Sequence, residues 1–341
     1  MLLFPKGFVL SNCLFQVYNR VYNRRMKILT RKGPAMDRTK AALSIFMLYC
    51  QWLLLLSGIY LVGWVLPVAG RLQGFLFAGV TLGVIGFGFW QSAAFLVGPN
   101  SRLNAFPAIR GAGLIVCLLF AGLFYLAGQV PQIPRPVIWI AHTANLFVFA
   151  NLLGAWLVKP LRRAPELIVL CVVLALSDLF SVLSGPTRAI VREIKNYYEG
   201  GAQGPAPLGD FLLIKVPVPG NPALQPIFGV SDWIVIVFLS AAAYKLGIND
   251  NLVGKGLPAA DAGKQPGVYL PAAGPGLLIA MAAAQLLGLF IPALPLVALG
   301  YMGYILIVDA TARKFKKQDW RLIAGFSAAM GGLLGLGLLY L

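Results

Sequence analysis

Two aspartates stand out because of where they sit. Asp178 lies in Leu174-Ala175-Leu176-Ser177-Asp178-Leu179-Phe180 and Asp232 in Phe228-Gly229-Val230-Ser231-Asp232-Trp233-Ile234, each inside a long apolar run. A carboxylate at membrane depth costs several kcal/mol, so a function is the first explanation to test. Two carboxylates sharing one proton can activate water and hydrolyse a peptide bond, one acting as base and the other as acid. The same pair could also line a proton or cation path in a transporter, and the bare residues leave both readings open.

The elements that must hold them are membrane helices. Of 341 residues, 59% are hydrophobic and only 11% charged, well below the share of charge in a soluble domain. The sequence predicts an all-α polytopic membrane protein with nine apolar runs, 41–66, 72–97, 111–128, 137–158, 167–184, 227–247, 276–290, 293–311 and 321–341. The net charge of +17 is spread over short loops between these runs, which fits positive-inside topology and not a nucleic-acid-binding face. The bias of Lys and Arg puts the N-terminus in the cytoplasm, the 185–226 loop outside and the 248–275 loop inside. An inner-membrane location follows as an expectation, with the lipid bilayer as surroundings and no nucleic-acid partner.

Other chemistries find no support in the residues. The single histidine, His142, excludes an HExxH zinc site, and no GxSxG elbow or phosphate-binding loop is present. Cys13, Cys50, Cys117 and Cys171 are too scattered for a CxxC motif or a disulfide framework. No metal or organic cofactor is implied. His142 and Asn145, one turn apart, read as interhelical hydrogen-bonding residues, and Asp309 as the partner of Arg313 four residues on. Gly79/Gly83 and Gly331/Gly335 have the spacing of close helix packing and leave a homo-oligomer open.

The depths of the two acids agree. Taking helices that end at residue 185 and begin after Pro226, Asp178 and Asp232 both lie about 10 Å below the outer face. The short run 276–290 ends at Pro292-Ala293-Leu294-Pro295, and its break falls at a similar level. Phe211 to Pro219 reads as a short extended segment just before the Asp232 helix. The stretch after the Asp178 run, with Arg188, Arg192 and Lys195 at near-helical spacing, reads as an interfacial helix.

At these residues the chain resembles the presenilin and signal-peptide-peptidase family of intramembrane aspartyl proteases. Ser177-Asp178-Leu179-Phe180, with Gly185-Pro186-Thr187-Arg188 after it, is similar to the family's first catalytic helix. Gly229-Val230-Ser231-Asp232 resembles its GxGD motif, and Pro292-Ala293-Leu294 its PAL motif. The resemblance covers residues 165–312. It implies Asp178 and Asp232 as the catalytic dyad, and Gly229, Ser231, Pro292, Ala293 and Leu294 as substrate-contacting residues. It further implies that Leu213, Ile214, Lys215 and Val216 pair with an unwound substrate strand, the substrates being membrane proteins or signal peptides. The departures are Ser177 in place of a tyrosine, Ser231 in place of the second glycine, one run fewer before Asp178 and an additional run after the PAL helix. The prepilin-peptidase class also carries GxGD, but it lacks PAL and has a basic residue after the aspartate.

The expected organisation is a basic cytoplasmic leader (1–40, with Met26 or Met36 as alternative starts), a four-helix scaffold (41–158), a catalytic core (159–312) and a final helix (313–341). With the 185–226 loop outside, substrates run N-in, C-out, as signal-peptide remnants and type II anchors do. The competing readings are a proton-coupled transporter and a substrate-binding homologue that has lost catalysis.

Overall fold

The structure, a computed structural model, describes residues 34–65, 70–130, 132–183, 186–201, 206–220, 224–257, 267–287 and 292–339. Most of the expected leader, and Gly185, therefore lie outside the described residues. The helices are α1 (Pro34–Val65), α2 (Arg71–Val97), α3 (Pro99–Ala105), α4 (Pro107–Gly128), α5 (Arg135–Leu157), α6 (Ala164–Leu183), α7 (Pro186–Glu199), α8 (Val230–Leu246), α9 (Gly274–Leu287), α10 (Ala293–Val308) and α11 (Lys317–Leu339). Two strands, β1 (Leu213–Pro217) and β2 (Leu224–Gly229), form an antiparallel hairpin immediately before α8.

Among the described residues five helices are long and apolar enough to cross a bilayer: Arg38–Val65, Leu72–Val97, Pro107–Gly128, Arg135–Leu157 and Ala164–Val182. Gly274–Ala284 and Ala293–Val308 are shorter apolar helices. Large apolar side chains stand exposed around the rim, among them Leu54, Leu61, Phe75, Leu119 and Ile307, as expected where lipid and not water is the solvent. The architecture fits an all-α membrane protein.

The helices do not share burial equally. In α5, 72% of the apolar window is buried inside the protein, against 6% in α4, so α5 is the central post and α4 an outer stave. α8 packs along α5, and Gly154 makes that approach: a Cβ there would come within 2.7 Å of the Ile234 carbonyl oxygen. Gly88 on α2 does the same for Trp233, whose ring would lie 2.6 Å from an added Cβ. Trp52 stacks on Phe147 at 3.7 Å, and Phe89, Phe147 and Phe228 surround Trp233 with centroids 5.2–5.7 Å away. At its far end α8 stops at Gly247, in the left-handed conformation with φ 70°, and Lys245 Nζ donates to the carbonyls of Val158, Lys159 and Leu161 at the end of α5.

A second group of helices packs around α6. α10 and α11 lie against it, and α9 packs on α10 through Gly276, where a Cβ would sit 2.5 Å from the Val297 Cα. Arg163 ties the start of α6 to that of α11 by pairing with Asp319 at 3.0 Å. Between the groups, Tyr301 on α10 donates to the Leu239 carbonyl on α8 at 3.0 Å, while α6 and α8 themselves touch only lightly.

Three expectations change. The run 227–247 is not one helix: β2 takes Ile227 to Gly229 and α8 begins at Val230. Pro226, which cannot donate to a helical ladder, belongs to the strand. Gly79, Gly83 and Gly331 meet nothing within 4 Å, so the close helix contacts inside the chain fall instead at Gly88, Gly154 and Gly276. Asp309 does not pair with Arg313. Its carboxylate accepts from Thr311, while Arg313 donates to the Leu306 and Ile307 carbonyls left open where α10 ends.

Candidate active site

Asp178 projects from the penultimate turn of α6 and Asp232 from the first turn of α8. The strand-to-helix junction fixes Asp232 from both sides. Its Oδ2 accepts from the Gly229 N–H at 3.1 Å, so the third helical residue caps the backbone that enters the helix, and the next residue, Trp233, is fully buried in the aromatic cluster. Starting the helix at Val230 places Asp232 at a helix mouth, where the sequence arithmetic had it farther along a continuous helix. The two carboxylates lie within electrostatic range of each other. Both side chains are half-buried, so the space between α6 and α8 reaches them.

The proline break supplies a third component. Pro292 is the residue before α10, and the backbone N–H of Leu294 in its first turn faces the Asp178 carboxylate as hydrogen-bond donor. First-turn N–H groups have no acceptor within their own helix, and the helix dipole adds positive potential there. Asp178, Asp232 and Leu294 are thus brought together from three separate helices. Ser177 is half-buried and Ser231 exposed, small side chains beside each acid.

The hairpin departs from expectation in which strand is open. β1 is buried along most of its length, and its Lys215 N–H donates to Thr143 Oγ1 of α5 at 3.3 Å. Leu213, Ile214, Lys215 and Val216 therefore sit between β2 and α5, and β1 has no open edge for a third strand. β2 is more exposed, with Gln225 fully so and Pro226 and Ile227 half-buried. The Lys215 side chain is ion-paired with Asp210, which also accepts from the Tyr198 hydroxyl at 2.8 Å, and the Lys215 Nζ lies 3.1 Å from the centre of the Trp139 ring. Burial lowers the Lys215 ammonium to about 8 against the opposing pull of Asp210.

Asn145 makes the interhelical bond its position suggested, whereas His142 bonds to the segment that leads into β1. His142 Nε2 hydrogen-bonds the Phe211 carbonyl at 2.7 Å, and Asn145 donates to the Cys117 carbonyl of α4 at 2.9 Å. α7 is a helix with Arg188, Arg192 and Lys195 exposed, Lys195 pairing with Glu199 at 3.6 Å. Among the described residues no group of three or more His, Cys, Asp or Glu could hold a metal ion. Trp233, Tyr301, Thr143 and Asp210, which position the site, were not singled out from sequence. Only Trp233, adjacent to Asp232, carried a signal that could have marked it.

No family model, curated protein or solved structure matches this chain.

Proposed function

We propose that this protein is an intramembrane aspartyl endopeptidase with a presenilin-like catalytic core, cleaving peptide bonds within transmembrane segments. The observation that supports the reading is that Asp178 accepts from the Leu294 N–H and lies within electrostatic range of Asp232, in a membrane-type helical fold. In this reading residues 41–158 form a scaffold, residues 159–312 the core and residues 313–341 an additional helix.

One carboxylate, ionised, takes a proton from a water molecule lying between the two acids. The water oxygen bonds to the scissile carbonyl carbon, while the other carboxyl donates its proton to the carbonyl oxygen. Collapse of the tetrahedral intermediate breaks the C–N bond, and the proton held by the first carboxylate goes to the leaving nitrogen. The Leu294 N–H donates to the Asp178 carboxylate and so orients it. A helical substrate hides its peptide bonds, so it must unwind first. β2, in which Gln225 is exposed and Pro226 and Ile227 are half-buried, runs directly into the Asp232 helix and is where an unwound strand would add. Substrates run N-in, C-out, by the charge bias of the loops.

The test is hydrolysis of a single-span peptide by the full chain in liposomes, comparing wild type with Asp178→Asn and Asp232→Asn. Each variant is expected to lose cleavage by at least two orders of magnitude, the contribution of positioned acid–base groups. Wild-type rates in both variants sink the protease reading. Aspartate-dependent proton uptake without cleavage would establish a transporter instead.

A further inference from the structure

The three helices that meet at the aspartates meet again on the side away from the hairpin. Ser240 lies eight residues after Asp232 on α8, Tyr301 seven after Leu294 on α10, and Cys171 seven before Asp178 on α6. Such spacings return to the same helix face two turns on, roughly 10–12 Å along the axis. All three side chains are buried, and Cys171 lies within electrostatic range of Tyr301. The Tyr301 hydroxyl donates to the Leu239 carbonyl of α8 at 3.0 Å.

A carboxylate anchors this second level. Asp250, in the loop that follows α8, is 1% exposed and accepts from the Tyr269 hydroxyl at 2.7 Å. The Ser240 hydroxyl is within hydrogen-bonding reach of both Asp250 and Tyr269. Backbone bonds join the same two segments: the Ala272 N–H donates to the Asp250 carbonyl at 2.8 Å, and the Leu252 N–H to the Leu270 carbonyl at 2.9 Å. Asn251 completes the joint, its Nδ2 donating to the Val268 carbonyl and its Oδ1 accepting from the Leu270 N–H. The Tyr304 hydroxyl of α10 adds a bond to the Asn249 carbonyl at 2.9 Å. α9 starts at Gly274, directly after this joint, and packs on α10 through Gly276.

Among the described residues no basic side chain pairs with Asp250, and Lys245, near the end of α8, is turned to the end of α5. A buried carboxylate held by hydroxyls costs more than an apolar residue in its place, but it dictates where each donor sits. α6 and α8 touch only lightly, whereas α6 packs along α10. The placement of Asp232 relative to Asp178 and Leu294 therefore depends on what joins α8 to α9 and α10. Resting on the protease reading, we propose that Asp250 is a positioning residue: through Tyr269 and Ser240 it clasps α8 to the α9–α10 pair and so holds the two aspartates at working distance from two turns away. It acts through those helices and not on the substrate.

The test uses the full chain in liposomes with a single-span peptide, comparing Asp250→Leu, Asp250→Asn and Tyr269→Phe with wild type. Asp250→Leu removes the acceptor. Its kcat should fall by about tenfold or more with KM within about twofold, because a shift of about 1 Å at a catalytic group costs up to about a hundredfold. Asp250→Asn keeps an acceptor oxygen and should hold kcat within about twofold of wild type. Tyr269→Phe is the milder lesion and serves if Asp250→Leu does not fold. It should show the same kcat-only loss at about threefold, the low end of one neutral hydrogen bond. Hydrogen exchange without substrate reads the coupling directly. Residues 293–298 should exchange about threefold faster in Asp250→Leu and Tyr269→Phe, and at the wild-type rate in Asp250→Asn. A residue that only closes its own loop would not change exchange two turns away.

Wild-type kcat in Asp250→Leu, or an equal loss in Asp250→Asn, overturns the proposal and leaves the protease reading standing. A rise in KM at unchanged kcat overturns it too, since the cluster then serves substrate binding. Unchanged exchange at 293–298 also overturns it. If wild type cleaves nothing, the protease reading fails, and faster exchange there in Asp250→Leu still upholds the clasp between α8 and α10.

Discussion

The backbone N–H of Leu294, in the first turn of α10, faces the carboxylate of Asp178 near the end of α6. The contact depends on where a helix begins and not on a side chain, so the proline break before α10 fixes it. It also makes the acid's surroundings depend on how α10 packs against its own neighbours.

Replacing Leu294 by proline removes that donor while keeping a residue the first helical turn tolerates. Leu294→Pro should lower kcat by about tenfold or more, the scale of a hydrogen bond to a charged group, with little change in thermal unfolding. Rate and melting temperature measured on the same preparation check it. An unchanged rate would remove Leu294 from the mechanism.

Asp232 has a structural duty besides its proposed chemical one, since it accepts from the Gly229 N–H at 3.1 Å. Asp232→Asn keeps an acceptor oxygen and should remain folded while losing cleavage. Asp232→Ala loses both and should unfold more readily by about 1 kcal/mol, the usual cost of a missing helix cap. Comparing the two by thermal unfolding in detergent separates capping from chemistry.

Glycines divide into two kinds that one substitution distinguishes. An added Cβ at Gly276 would lie 2.5 Å from the Val297 Cα, whereas at Gly79 it meets nothing within 4 Å. Gly276→Ala should destabilise by about 1–3 kcal/mol through overpacking and should also slow cleavage, because α10 carries Leu294. Gly79→Ala should leave unfolding of the monomer unchanged. Equal melting temperatures for the two variants would contradict the packing described.

The Lys215–Asp210 pair is almost wholly buried. Removing one partner strands a charge, so Lys215→Met or Asp210→Leu alone should each cost about 3–5 kcal/mol. The double replacement should recover most of that loss. Denaturant unfolding of the four proteins in a double-mutant cycle measures the coupling, and additive single effects would deny it.

Much of this arrangement was legible beforehand, for identifiable reasons. Carboxylates in apolar runs are rare enough that Asp178 and Asp232 marked themselves, and Pro292 announced the start of α10. The extended character of Leu213–Pro217 followed from its β-branched residues and flanking prolines. β2 was hidden because Leu224–Gly229 is apolar and adjoins the apolar α8, so length and hydropathy merged the two. The burial of Lys215 was unreadable because its partner Asp210, its roof Trp139 and the Thr143 hydroxyl that closes the β1 edge come together only in the tertiary fold. Glycine spacing misled for a similar reason: Gly79 and Gly83 have the motif, but helix contact depends on which face meets a neighbour.

A pH signature lies away from the aspartates, in the loop after α8. Asp250 is buried, accepts from the Tyr269 hydroxyl at 2.7 Å, and is raised by burial to about 7. Its folded-state value lies above its unfolded one of 3.8, so between roughly pH 4 and pH 7 the folded chain holds a proton the unfolded chain has released. Stability should therefore fall as pH rises through that window, with a slope approaching about 1.4 kcal/mol per pH unit for this group. Asp250→Asn should flatten that part of the curve while keeping an acceptor for Tyr269. Melting temperatures from pH 4 to 8 decide it, and identical slopes would exclude Asp250 as the source.

The light contact between α6 and α8 has a mechanical meaning. The Asp178 helix packs against α10 and α11, and the Asp232 helix against α5, and each has more contact with its own side than the two helices have with each other. The spacing of the two carboxylates is therefore set mainly by the packing within each group of helices and only lightly by contact of α6 with α8 across the seam between them.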